Sequence, residues 1–194
     1  MFVPRLSSSS PTEMMNNPWW YSSGNIYYPN FGLPNCTCYT YGRIGEINGE
    51  FKNLPGMDAK KWYDDLVEYG EYPIGGQPQL GGIMCYAPLA IDPDDPDDPS
   101  NVYGGHVSVV EEIEYDTDNN VVSCVTSNSA WQGTYFWTER VYARNGFLAD
   151  WMGMPRNYYY QGCVYVTPEY VIYSQKKGMP VWMMLRYAFD KDKI

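Results

Sequence analysis

The periodicity of this chain changes once, near residue 80, and that change restricts the architectures open to it. Before it lie two helical patterns. In "NCTCYTYGRIGEI" the helix starts after Pro34, with Asn35 as N-cap. In "MDAKKWYDDLVEYG", Ala59, Trp62, Leu66 and Tyr69 recur at helical spacing, Asp58 is placed to cap, and Gly70 to stop the helix. After it come "GGIMCYAP", "GGHVSVVEEIEY", "NNVVSCVTSN", "GTYFWTERVY" and "GCVYVTP". These are short, β-branched and aromatic, and bounded by Gly, Asn or Pro; "YDTDNNVV" is a turn between the second and third. Helices followed by a run of strands predict an α+β domain, with N-terminal helices packed against an antiparallel β-sheet.

The 194 residues fit one domain with a real core. The polar, Ser/Pro/Asn-rich residues 1–20 read as a loose leader, residues 21–167 as the domain, and residues 168–194 as a C-terminal extension. The extension's apolar stretch "PVWMMLRYAF" either docks on other subunits or packs on its own domain. Arg186 breaks it, and it is too short to span a bilayer. The N-terminus lacks the apolar core of a signal peptide.

A formal charge of −10, without a basic stripe, sets nucleic-acid binding aside and leaves a cationic substrate open. Twenty Tyr and seven Trp suit either a core or a groove gripping a partly polar ligand. "IDPDDPDDPS", residues 91–100, reads as a solvated acidic loop, because its prolines do not supply the alternating ligands of a calcium site.

Five cysteines, at 36, 38, 85, 124 and 163, do not form a disulfide framework, and reduced thiols are expected. At about 100° per residue, Cys36, Thr40, Ile44 and Ile47 share one core-facing stripe, while Cys38 lies about 200° around the helix. Cys36 also sits in the first helical turn, where unpaired amides and the positive dipole end favour the thiolate and lower its pKa. Cys36 is therefore the candidate nucleophile.

The lone histidine, His106, opens a strand after twin glycines that admit another backbone or a substrate. His106, Ser108 and Val110 share one strand face, Val107 and Val109 the other. If the first face receives the helix, His106 meets Cys36 and takes its proton; the alternative is a structural histidine. Asn128 ends the next strand on the face of Cys124 and Thr126. It is either the group that orients the imidazole or an ordinary turn residue.

The blocks "NCTCYTYGR", "GGHVSVVEEI" and "TSNSAWQGTYFWT", in that order, resemble the signature blocks of the CHAP family, the cysteine, histidine-dependent amidohydrolases/peptidases, and most of all the versions in bacteriophage lysins. The intervening "MDAKKWYDDL" and "YPIGGQPQLGGIMCY" fit as well, and the resemblance spans roughly residues 20–167. It implies a papain-like α+β fold and hydrolysis of a peptidoglycan amide bond, with no cofactor or metal. It places the nucleophile on Cys36, the general base on His106, and the third position, often Glu in the family, on Asn128. Some members carry an Asp-rich calcium site before the nucleophile; "NIYYPNFGLPN" has no carboxylate there.

On this reading Cys36 attacks an amide carbonyl of the stem peptide, the cross-bridge or the muramoyl–alanine link. The Cys36 N–H supports the oxyanion, and Tyr39, Trp62 and Trp131 wall the groove unless they are core. The partner is bacterial wall peptidoglycan. The protein passes from host cytoplasm to wall on lysis, or travels in the virion beside other subunits. The alternatives are a non-catalytic wall-binding or structural module of a phage tail, and a metal site of Cys36, Cys38 and His106, which has too few ligands for structural zinc.

Overall fold

The computed structural model describes residues 2–7, 11–88, 104–143 and 158–166. The acidic loop at 91–100 and the extension at 168–194 lie outside them. Among the described residues three helices come first: α1 (Pro11–Met15), α2 (Cys36–Asn48) and α3 (Ala59–Tyr69). Six strands follow: β1 (Ile74–Gly75), β2 (Ile83–Pro88), β3 (His106–Tyr115), β4 (Val121–Asn128), β5 (Trp137–Tyr142) and β6 (Tyr158–Val164). They form one antiparallel sheet in the order β1-β6-β2-β3-β4-β5, the expected α+β layering.

The sheet separates two apolar layers. On the helical side Ile83, Cys85, Val107, Val109 and Val164 meet Ile44 of α2 and Trp62 and Leu66 of α3. On the other side lie Met84, Tyr86, Val110, Cys124, Val141 and Cys163. The alternation along β2 and β3 thus resolves into two faces, both covered. The β3–β4 turn forms at the expected place, with Asp116 Oδ1 accepting from the Asp118 and Asn120 amides at 2.9 and 2.8 Å.

The described residues of this leader, 2–7 and 11–20, are anchored rather than loose. Met14 and Trp20 are buried, and Trp20 Nε1 donates to the Tyr39 carbonyl at 3.0 Å. The Arg5 amide donates to the buried carboxylate of Glu111 at 2.9 Å. A polar composition concealed these anchors, each of which is a single side chain or amide.

Helix α2 is consequently covered on both sides. One side packs on β3, where the Thr40 hydroxyl donates to the Val107 carbonyl at 3.4 Å. The other lies under Trp19–Asn25, where Asn25 Nδ2 donates to the Trp19 and Cys38 carbonyls at 2.9 and 3.2 Å. This explains Gly42 in mid-helix: a Cβ there would sit 2.5 Å from the Trp20 ring and 2.6 Å from the Trp19 carbonyl oxygen.

Candidate active site

Asn35 sets the start of α2. Its extended backbone (φ −169°, ψ 130°) turns the side-chain oxygen onto the Thr37 and Cys38 amides at 2.8 and 3.3 Å. Its own amide donates to Ser129 Oγ at 3.0 Å, fastening the helix start to the end of β4. The cap takes the second and third amides of the helix and leaves that of Cys36, the first residue, to point beyond the helix end.

Cys36 and His106 line one cleft of about 380 Å³, together with Phe31, Asp58, Gly104 and Trp131. The route by which they meet differs from the expected one. The face of β3 that receives α2 carries Val107, Val109 and Glu111, whereas His106 lies beside Tyr86 and Trp137 on the opposite face. His106 is the first residue of β3 and opens the strand, so the cleft at the strand's end takes in residues from both sides of the sheet. Cys38, by contrast, is fully buried against Asn25.

Asn128 lies 3.0 Å from His106, Oδ1 to Nε2. The orientation of its amide follows from Thr126, whose carbonyl oxygen can only accept and receives Asn128 Nδ2–H at 3.2 Å. Oδ1 therefore faces the ring, the neutral ring carries its proton on Nε2, and Nδ1 is its acceptor nitrogen. Trp137, opposite Asn128 in the β4–β5 register, stacks on the imidazole with centroids 6.1 Å apart and planes 18° apart.

The protonation states depart from the helix-start expectation. Burial pushes the Cys36 thiol up to about 11, against the backbone amides of Val107, Thr37 and Cys36 itself; the Asp58 charge adds to the rise. The dipole end is present, but desolvation of the thiolate is the larger effect. Burial likewise holds His106 down to about 3, the Asn128 hydrogen bond only partly opposing it. Both shifts favour the neutral thiol and the neutral imidazole over an ion pair.

Of the three aromatic candidates only Trp131 reaches the cleft. It is 52% exposed and meets Phe31 edge-on, centroids 6.1 Å apart. Tyr39 and Trp62 are core. Tyr39 stacks on Trp20, and Trp62 Nε1 donates to the Met57 carbonyl at 3.1 Å. Both fill the helical periodicity that would have aimed them anywhere on α2 or α3. Trp137, Thr126 and Phe31 were not singled out from sequence; Trp137 needs the β4–β5 register, and Phe31 sits in a loop without periodicity. All five cysteines are free, and no cluster of metal-ligating side chains occurs among the described residues.

A helix-start cysteine and a strand-start histidine sharing a cleft on an α+β domain define the papain-like class. The CHAP domain profile matches residues 26–128, more than half of the chain, and the chain belongs to the CHAP family of cysteine, histidine-dependent amidohydrolases/peptidases. No curated protein matches the sequence. Among solved structures, an N-acetylmuramoyl-L-alanine amidase from Staphylococcus aureus is similar at 21% identity and a TM-score of 0.39. The match covers 57% of this chain and 27% of that one.

Proposed function

We propose that this chain is a peptidoglycan hydrolase that cuts an amide bond with Cys36 as nucleophile, His106 as general base and acid, and Asn128 as the residue that positions the imidazole. The observation that carries the reading is the Asn128–His106 hydrogen bond, because it turns Nδ1 into the base of a cleft that also holds Cys36.

As Cys36 Sγ bonds to the carbonyl carbon, Nδ1 takes the thiol proton. The neutral resting pair makes this a transfer concerted with attack. The developing oxyanion is met by the Cys36 N–H that the Asn35 cap leaves unused. When the C–N bond breaks, Nδ1–H protonates the departing amine. Water then gives its proton to Nδ1 and attacks the thioester, and the proton returns to sulfur as the acid leaves. Trp137 covers the imidazole and limits water's access to the Asn128 bond.

A gel containing peptidoglycan tests the reading. Wild type clears it, Cys36→Ala does not, and Cys38→Ala clears it because its sulfur lies outside the cleft. Equal clearing by wild type and Cys36→Ala would refute the assignment. Mass spectrometry of the released fragments identifies which bond is cut.

The setting we infer is a bacteriophage lysin, reaching the wall from the host cytoplasm at lysis or carried in the virion. The likeness of the three sequence blocks to lysin domains supports it. Detection of the chain by mass spectrometry in purified virions or only in late-infection lysate separates the two.

A further inference from the structure

Asp58 occupies the N-cap of α3, yet its side chain makes no capping hydrogen bond. The amides a cap would serve are taken by backbone oxygens: Lys60 N–H donates to the Gly104 carbonyl at 2.7 Å, and Lys61 N–H to the Asp58 carbonyl at 3.0 Å. Gly105 permits this approach. It has φ +74°, and a Cβ there would lie 2.5 Å from the Lys60 nitrogen. The strand entry that delivers His106 thus caps α3 itself and releases the Asp58 carboxylate into the cleft. Among the described residues no cation pairs with it.

We propose that Asp58 is a specificity-determining residue that pairs with a primary ammonium group of the peptide substrate in the Cys36–His106 cleft. The inference rests on the hydrolase reading above. A carboxylate here works against the chemistry while the cleft is empty, because its charge disfavours the Cys36 thiolate. A substrate ammonium beside it cancels that charge, so the group that selects the substrate also removes the obstacle to attack. The other cleft residues are apolar or neutral apart from the imidazole, which rests uncharged, so Asp58 supplies the charge that discriminates among ligands. The net charge of −10 biases long-range attraction the same way. The ammonium comes either from a diamino-acid side chain of the stem or from a free peptide N-terminus.

The test compares wild type and Asp58→Asn on lysine-type peptidoglycan sacculi, native and acetylated on their amines with acetic anhydride. Acetylation is expected to lower wild-type kcat/KM by about tenfold, the size of a charge-assisted hydrogen bond. Asp58→Asn should show a similar loss on native sacculi and little further loss on acetylated ones, with Asp58→Glu recovering part of the native rate. Equal sensitivity of wild type and Asp58→Asn to acetylation would overturn the proposal while leaving the hydrolase standing. No cutting of either substrate by wild type would bring down both. Competition by a lysine-containing stem tetrapeptide, Nε-acetylated or N-terminally acetylated, assigns the source. The acetylation that abolishes inhibition marks the ammonium bound, and equal inhibition by both forms counts against any such contact.

Discussion

Three separate effects act on His106. Asn128 fixes its tautomer, Trp137 covers one face of its ring, and burial keeps it uncharged. The histidine's folded pKa, about 3, lies below the unfolded value near 6.5. The unfolded chain therefore binds the extra proton first, so this contribution to stability is complete above pH 6.5 and is lost as pH falls toward 3. The thiol is shifted the other way, from 9 to about 11. Its contribution is complete below pH 9 and is lost as pH rises through 11. Iodoacetamide should accordingly alkylate Cys36 slowly at pH 7.5, with a rate that climbs toward a midpoint near pH 11. A midpoint below 8, measured as the difference from Cys36→Ala, would restore the preformed ion pair. Cys36, His106 and Asn128 were legible as candidates because capping, strand opening and alternation are local. Their protonation was not, because it depends on what covers them.

The glycines of α2 and β6 carry their meaning between elements. Gly42 costs α2 helix propensity, and Ala in its place gains about 1 kcal/mol on that account. Packing decides otherwise, since the Trp20 ring and the Trp19 carbonyl occupy the space a Cβ needs. Overpacking of this kind costs about 1–3 kcal/mol. Gly42→Ala should therefore lower the thermal midpoint; a raised midpoint would show that Trp19 and Trp20 do not hold against α2. Gly162 was read as the start of the last strand, but β6 begins at Tyr158 and runs through it. Its φ of +159° falls where the β2–β6 register skips Gln161, and a Cβ there would lie 2.5 Å from the Tyr63 ring of α3. A glycine needed for a neighbouring helix looks, in sequence, like the end of a strand. Asp58 misleads in a similar manner: its position as N-cap was legible, but the Gly104 carbonyl that relieves it of capping arrives from the segment that enters β3.

At the scale of the molecule, one buried carboxylate joins the N-terminal segment, α2 and the sheet. Glu111 receives Arg43 in a two-pronged contact at 2.9 and 2.8 Å, Ser127 Oγ at 2.6 Å and the Arg5 amide at 2.9 Å. Arg43 also donates to the Val3 carbonyl at 2.6 Å, and Ser127 is the neighbour of Asn128 in β4. Glu111→Ala removes the two-pronged partner of the buried Arg43 guanidinium and leaves it only the less buried Glu46 carboxylate, a change that costs about 3 kcal/mol. In urea the unfolding midpoint should fall while the slope stays constant. An unchanged midpoint would mean that the pair contributes nothing net. None of this cluster announced itself in sequence, since Arg43 and Glu111 are 68 residues apart.

The amino-acid sequence alone determined the order of helices and strands, the capping of α2 by Asn35 and the short set of side chains able to do thiol chemistry. Those are consequences of interactions within a few residues, where capping, turn residues and the two periodicities operate. The tertiary structure decided which face of β3 meets α2, that Tyr39 and Trp62 are core, that Arg5, Met14 and Trp20 anchor the described part of the leader, and that burial favours the uncharged thiol and imidazole. Each depends on which surface excludes water from which group, and that is fixed only when segments distant along the chain close over one another.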